Sequence, residues 1–85
     1  MTLHHTRIGR GKPLLLVHGL GGTYRSWDTI LPALAQVREV IALDLPGHGQ
    51  TPEEADSGTF NGLARSLDNW LGAEKLTGID MVGSS

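Results

Sequence analysis

The chain alternates between short apolar runs and polar, glycine-rich stretches. Three runs stand out: Leu14-Leu15-Leu16-Val17, Val40-Ile41-Ala42-Leu43 and Ile79-Asp80-Met81-Val82. Each is bounded by turn residues, with Gly11-Lys12-Pro13 before the first, His18-Gly19 after it, Asp44 after the second and Gly83 after the third. Runs of this length with such flanks predict buried strands. The first two do not alternate apolar with polar positions, which suits a parallel sheet covered on both faces. Leu3–Ile8 is more polar and is a candidate for a further strand at the sheet edge.

Two helical stripes lie between the runs. Trp27, Ile30, Leu31 and Leu34 fall at i, i+3, i+4 and i+7, with Ser26 placed as an N-cap and Asp28 in the first turn. Pro32 predicts a kink there, or a break into two short pieces. Phe60, Leu63, Ala64, Leu67, Trp70 and Leu71 hold a longer stripe, with Thr59 as N-cap and Gly72 near the C-terminal end. That stripe is read as core facing the sheet.

The order strand–helix–strand–helix–strand, with crossovers long enough for parallel pairing, predicts the α/β class. Expected is a partial open, mostly parallel sheet built by right-handed crossovers, with one possible extra N-terminal edge strand. Composition narrows the function classes. In 85 residues there are 12 Gly, no Cys and a formal net charge of −2. Without Cys there is no disulfide, no Cys-ligated zinc and no thiol nucleophile. The near-neutral balance argues against nucleic acid as a partner. The longest unbroken apolar run, Leu14–Val17, falls far short of the roughly 18–20 residues a membrane span needs. Met1–Lys12 contains no apolar core of a signal peptide, so the cytoplasm is the default location. Thr51–Gly58, with Glu53, Glu54 and Asp56, reads as a solvated surface loop.

Sheets of this kind bind ligands beyond the carboxyl ends of their strands. The three strand-end stretches are His18-Gly19-Leu20-Gly21-Gly22, Asp44-Leu45-Pro46-Gly47-His48-Gly49 and Gly83-Ser84-Ser85. The glycines of the first serve either phosphate binding or an oxyanion hole of backbone N–H groups. No Lys follows them, which excludes a Walker loop. In a dinucleotide fingerprint Gly19 and Gly21 fit, but Tyr24 stands where the third glycine belongs. Asp44, roughly 20 residues on, would be the ribose-binding acid, so a nucleotide-binding module is the runner-up reading.

Asp44 and His48 suggest a metal site or a catalytic pair, but Pro46-Gly47 is turn chemistry and too few ligands assemble for a metal. A structural loop of Asp44, Pro46, Gly47, His48 and Gly49 is therefore expected, with no metal and no cofactor. His4 and His5, adjacent on a strand, would point to opposite faces and make a poor chelate. Tyr24, beside the glycine loop, is a weaker candidate for a pocket wall. Gly83-x-Ser85 is the first half of a Gly-x-Ser-x-Gly nucleophile elbow.

As an ordered set, three stretches resemble the N-terminal part of the α/β-hydrolase fold. They are Pro13–Gly22 with Ser26-Trp27, then Val40–Gly49, then Ile79–Ser85. The sub-pattern is similar to small-substrate esterases, C–C hydrolases and haloperoxidase-like members. The resemblance implies Ser85 as nucleophile, Gly19 and Leu20 at the oxyanion hole, and His18, Gly21, Gly22, Gly83 and Ser84 as site-shaping. It implies a serine hydrolase that cleaves a small ester, or a related acyl or C–C bond, through an acyl-enzyme. In that fold the acid and the base follow the nucleophile, whereas His4, His5, His18 and His48 all precede Ser85. The 85 residues are thus expected to be a segment of one longer domain, inactive and poorly packed alone. The implied partners are a small-molecule substrate and the remainder of that domain. A non-catalytic family member acting as an interaction domain is the other alternative.

Overall fold

The computed structural model describes residues 3–53, 58–76 and 78–83. Four strands form one sheet: β1 (His5–Ile8), β2 (Pro13–Val17), β3 (Glu39–Leu43) and β4 (Asp80–Gly83). Their spatial order is β1-β3-β2-β4, with β2 parallel to both β3 and β4 and β1 antiparallel to β3. The sheet is open and mostly parallel, as the run spacing predicts, and the extra N-terminal strand is its antiparallel edge. Between the strands lie a 3₁₀ turn (Tyr24–Trp27) and two helices, α1 (Leu31–Leu34) and α2 (Phe60–Ala73). Among the described residues no helix is long and apolar enough to cross a membrane.

The unbroken apolar runs of β2 and β3 have a simple origin. Successive side chains point to opposite faces, and both faces are covered. Leu15, Ile41 and Leu43 pack with Leu3, Leu45, Leu63 and Trp70 on the α2 side. Leu14, Leu16, Val40 and Ala42 pack against Tyr24, Trp27, Leu31 and Leu34 on the α1 side. Parallel register sets Leu15 beside Ile41 and Leu16 beside Ala42, so both faces stay in phase across the two strands. At the opposite end of the strands the Arg38 guanidinium donates to the Lys12 and Pro13 carbonyls and to the Asp80 carboxylate, tying β2, β3 and β4 together.

Several expectations need correction. The first helical stripe breaks in two, as Pro32 predicts, but its N-cap is Thr23 rather than Ser26. The Thr23 hydroxyl accepts from Arg25 N–H, while Ser26 sits three positions on and accepts from Thr23 N–H. Reciprocal hydroxyl capping favours the earlier residue because it satisfies donors at both positions. Thr59 caps α2, accepting from Gly62 N–H at 2.9 Å. Gly72 lies inside that helix, and the left-handed residue beyond its end is Lys75, at φ 57°. The third apolar run forms a strand but not a buried one. Met81 and Val82 are 51% and 42% exposed, because β4 pairs with β2 at the edge of the described sheet.

Candidate functional site

The carboxyl ends of β2 and β3 carry two loops, and both are fixed by the first residues after the strands. His18 follows β2 and is buried. Its Nε2 accepts from the Leu45 N–H at 3.0 Å, so its proton is on Nδ1, which donates to the Gly19 carbonyl at 2.8 Å. The same carbonyl accepts from Gly22 N–H at 3.0 Å, closing a tight turn over Gly19–Gly22. Gly21 takes φ 82° there, with open space where a Cβ would stand.

The planar trans peptide joining Gly19 to Leu20 has a consequence. With its C=O drawn toward His18 and Gly22, its N–H, that of Leu20, points the other way. Among the described residues this N–H has no hydrogen-bond partner. A backbone donor without an internal acceptor can stabilise an oxygen that gains negative charge.

Asp44 follows β3 and is fully buried. Its Oδ1 accepts from Tyr24 N–H at 2.7 Å, and its Oδ2 accepts from Gln50 N–H at 3.0 Å and from His4 Nδ1 at 2.9 Å. Burial works to raise the pKa of this carboxyl. The N–H groups of Gln50 and Tyr24 and the His4 ring together outweigh it and hold the group below the usual carboxylate range. Thr51 completes the knot, donating its hydroxyl to the Asp44 carbonyl at 2.8 Å and accepting His4 N–H at 2.9 Å. Gly49, at φ 52°, lies against the Asp44 carboxylate so closely that a Cβ there would collide with it. His48 Nδ1–H donates to the Pro46 carbonyl, and its ring lies 4.9 Å from that of His18. With Asp44 and Leu45 adjacent, one short segment anchors both ends of the glycine loop: His18 through Leu45, Tyr24 through Asp44.

A cleft of about 430 Å³ opens beside the glycine loop. Val17, Leu45, Leu63, Ala64 and Leu67 form its wall, with Phe60, His18, Gly19 and Leu20 around it, and among the described residues no charged side chain lines it. Phe60 was expected in the core but is 78% exposed. Helix α2 runs antiparallel to the strands it connects, so its first turn overhangs their carboxyl ends, and Phe60 extends past the sheet instead of onto it. Leu63 and Trp70, further along the same stripe, are buried as predicted. Tyr24 is not a cleft wall; it packs on the α1-side core with its ring 4.9 Å from that of His4.

The nucleotide-binding alternative loses its acidic residue, since both Asp44 oxygens are taken by internal donors and the side chain has no exposed surface. Gly83 ends the exposed strand β4. Ser84 and Ser85, the expected elbow residues, lie outside the described residues, as do Glu54 and Asp56 of the polar loop. Sequence reasoning read His4 only as half of a poor chelate and Thr51 as the start of a solvated loop; Thr51 is instead buried, because its hydroxyl bridges Asp44 and His4. A signal for His4 existed in the register: His5 opposite Leu43 puts His4 opposite Asp44. Reading it required knowing that β1 runs antiparallel beside β3.

Glycine turn, mostly parallel sheet and apolar cleft together define a hydrolase-type α/β scaffold, and comparison with known proteins agrees. The family model described as "alpha/beta hydrolase fold" matches residues 12–85. The chain belongs to the α/β-hydrolase fold family. It is 37% identical over 83 residues to a 2-hydroxy-6-oxo-2,4-heptadienoate hydrolase of Pseudomonas putida, covering 92% of this chain and 30% of that protein. It is 42% identical over 52 residues to a pimeloyl-[acyl-carrier protein] methyl ester esterase of Legionella pneumophila, covering 61% of this chain and 22% of that one. The solved structure of a marine microorganism esterase superposes with a TM-score of 0.89 at 27% identity, covering 99% of this chain and 32% of the esterase. The chain spans less than a third of the length of the curated relatives it matches.

Proposed function

We propose that this chain supplies the nucleophile and one oxyanion donor of a serine hydrolase acting on a small, uncharged ester or a related acyl or C–C bond. Ser85 attacks the carbonyl carbon, and the developing oxyanion is held by Leu20 N–H and by the N–H of the residue after the nucleophile. Collapse of that intermediate breaks the bond to the leaving group, which departs with the proton the base took from Ser85, and water then hydrolyses the acyl-serine ester, releasing the acid and restoring the hydroxyl. The observation that carries this reading is the Gly19–Leu20 peptide, whose carbonyl accepts two hydrogen bonds and whose N–H has no partner among the described residues. Preorganised donors of this kind typically contribute about 10²–10³ in rate each. Among the described residues the cleft beside it carries no charged side chain, which favours a neutral acyl or alkyl group over an anionic one.

A serine hydroxyl needs a base within reach. The four histidines of this chain are engaged elsewhere: His4 with Asp44, His5 with the Leu3 carbonyl, His18 with Leu45 and Gly19, His48 with Pro46. In the α/β-hydrolase order the acid and the base follow the nucleophile, and all four histidines precede Ser85, so the base and its orienting acid are assigned to other segments of the protein. The relatives, a methyl ester esterase and a heptadienoate hydrolase, support the reaction class.

The test is Ser85→Ala in the protein that carries this chain, assayed with p-nitrophenyl butyrate and with a fluorophosphonate probe. Hydrolysis should fall at least about 10³-fold, and labelling should vanish. Retained hydrolysis overturns the reading. If the unsubstituted protein neither hydrolyses the ester nor takes the probe, a non-catalytic interaction domain takes its place.

A further inference from the structure

We propose that His4 is a positioning residue for the glycine loop, acting through Asp44, an inference that rests on the hydrolase reading above. Among the described residues Asp44 is the carboxylate that touches both strand-end loops, and its geometry is divided between its oxygens. Oδ1 holds Tyr24 N–H, the downstream anchor of the Gly19–Gly22 turn, while Oδ2 holds Gln50 N–H and His4. Two of these donors are backbone groups that any sequence would provide. His4 is the side-chain donor of the three, and it fixes the carboxylate's rotation about χ2 and hence the direction in which Oδ1 presents itself to Tyr24.

Three more contacts hold His4 in that pose. Its N–H donates to Thr51 Oγ1, its carbonyl accepts from Asp44 N–H at 2.8 Å, and its ring meets the Tyr24 ring edge-on at 4.9 Å. The ring thus touches both the carboxylate and the residue that the carboxylate holds. Because a carboxylate only accepts, the Nδ1 facing it must carry the proton.

The effect on chemistry follows from the two-ended anchoring of the loop. His18 sets the upstream end through Leu45, and Tyr24 sets the downstream end through Asp44. Releasing the downstream end lets the Gly19–Leu20 peptide rotate or shift. A donor displaced by a fraction of an ångström still permits substrate to bind in the apolar cleft, but it no longer meets the oxyanion, so the loss falls on kcat rather than KM.

Two variants separate this from a general structural role. His4→Phe keeps a ring against Tyr24 but removes the donor. His4→Asn places its side-chain N–H₂ where Nδ1 stood. In p-nitrophenyl butyrate hydrolysis, His4→Phe should lower kcat about 10- to 100-fold with KM changed less than about twofold, and His4→Asn should restore most of the rate. Equal losses in both variants, or a loss confined to KM, overturn the proposal. A second measurement needs no variant: ¹⁵N NMR of the unsubstituted protein should show neutral His4 as the Nδ1–H tautomer, and a predominant Nε2–H tautomer overturns it as well. The two proposals fail separately. If Ser85→Ala abolishes hydrolysis while His4→Phe leaves kcat intact, the serine reading stands and the His4 role falls. If Ser85→Ala leaves hydrolysis intact, the serine reading itself falls.

Discussion

The two strand-end loops look alike as text, each short, glycine-rich and beginning with a polar residue, yet they are built on different grounds. The loop after β3 is organised around a buried charge: Asp44 gathers donors from three segments, and Gly49 is small because the carboxylate occupies the space a side chain would need. The loop after β2 is organised around a backbone turn. Its Gly21 adopts a positive φ with nothing nearby, and the neighbouring Leu20 is 65% exposed. One loop spends its polar groups internally, and the other leaves an N–H free to meet a ligand. Glycine content alone does not separate a supporting loop from a working one; what the neighbouring atoms do with the vacated space does.

This contrast can be broken most severely at its charged centre. Asp44→Ala strands two part-buried backbone donors and the His4 ring, and should destabilise the protein by about 3 kcal/mol in urea unfolding. A loss below about 1 kcal/mol would mean that water replaces the carboxylate and that the loop is not organised around it. Gly49→Ala comes next, since it forces a methyl group into that carboxylate at a left-handed φ, and about 2 kcal/mol is expected. Unchanged stability would show that the loop can move away from Asp44 at little cost.

Acid probes the same centre without a mutation. The folded-state pKa of Asp44 is held below its unfolded value. Its contribution is therefore fully present above about pH 4 and is lost as pH falls through the folded value. Urea midpoints should drop between pH 5 and pH 2.5, and drop less in Asp44→Asn, which cannot titrate. Parallel curves for the two proteins would remove Asp44 as a source of acid sensitivity. The smallest effect belongs to the other loop: Gly21→Ala meets no atoms and bears only the left-handed backbone cost, about 1 kcal/mol. If it instead equals or exceeds Gly49→Ala, the steric distinction between the two loops is wrong.

Much of this architecture was legible in the order of apolar runs. Leu14–Val17 and Val40–Leu43 announce buried strands because both their faces are covered, and Pro32 announces the break between the 3₁₀ turn and α1. Local patterns of this kind are set by neighbours a few residues away, and sequence carries them directly. What stayed hidden depends on contacts distant along the chain. The exposure of β4 follows from its edge position, which its apolar residues do not encode. Phe60 continues the helical stripe of Leu63 and Leu67, and only the length of sheet beneath the helix decides that it overhangs. His4 gains its meaning from Asp44, 40 residues away. The candidate oxyanion donor was reachable through resemblance to a family, whereas the fixing of its loop at both ends emerged from the hydrogen bonds.

The alternation of β2 and β3 between two covers has a consequence for how this molecule can change over evolutionary time. The α1-side and α2-side clusters share no residue, although both are drawn from the same two strands. Substitutions beneath Trp27 and Leu31 should therefore combine additively with substitutions that line the cleft, such as Leu63 or Leu67. A lineage is free to remodel the α1-side cover away from Tyr24 for stability while it adapts the other to a new ligand; Tyr24, which also anchors the glycine loop, is where the two searches meet.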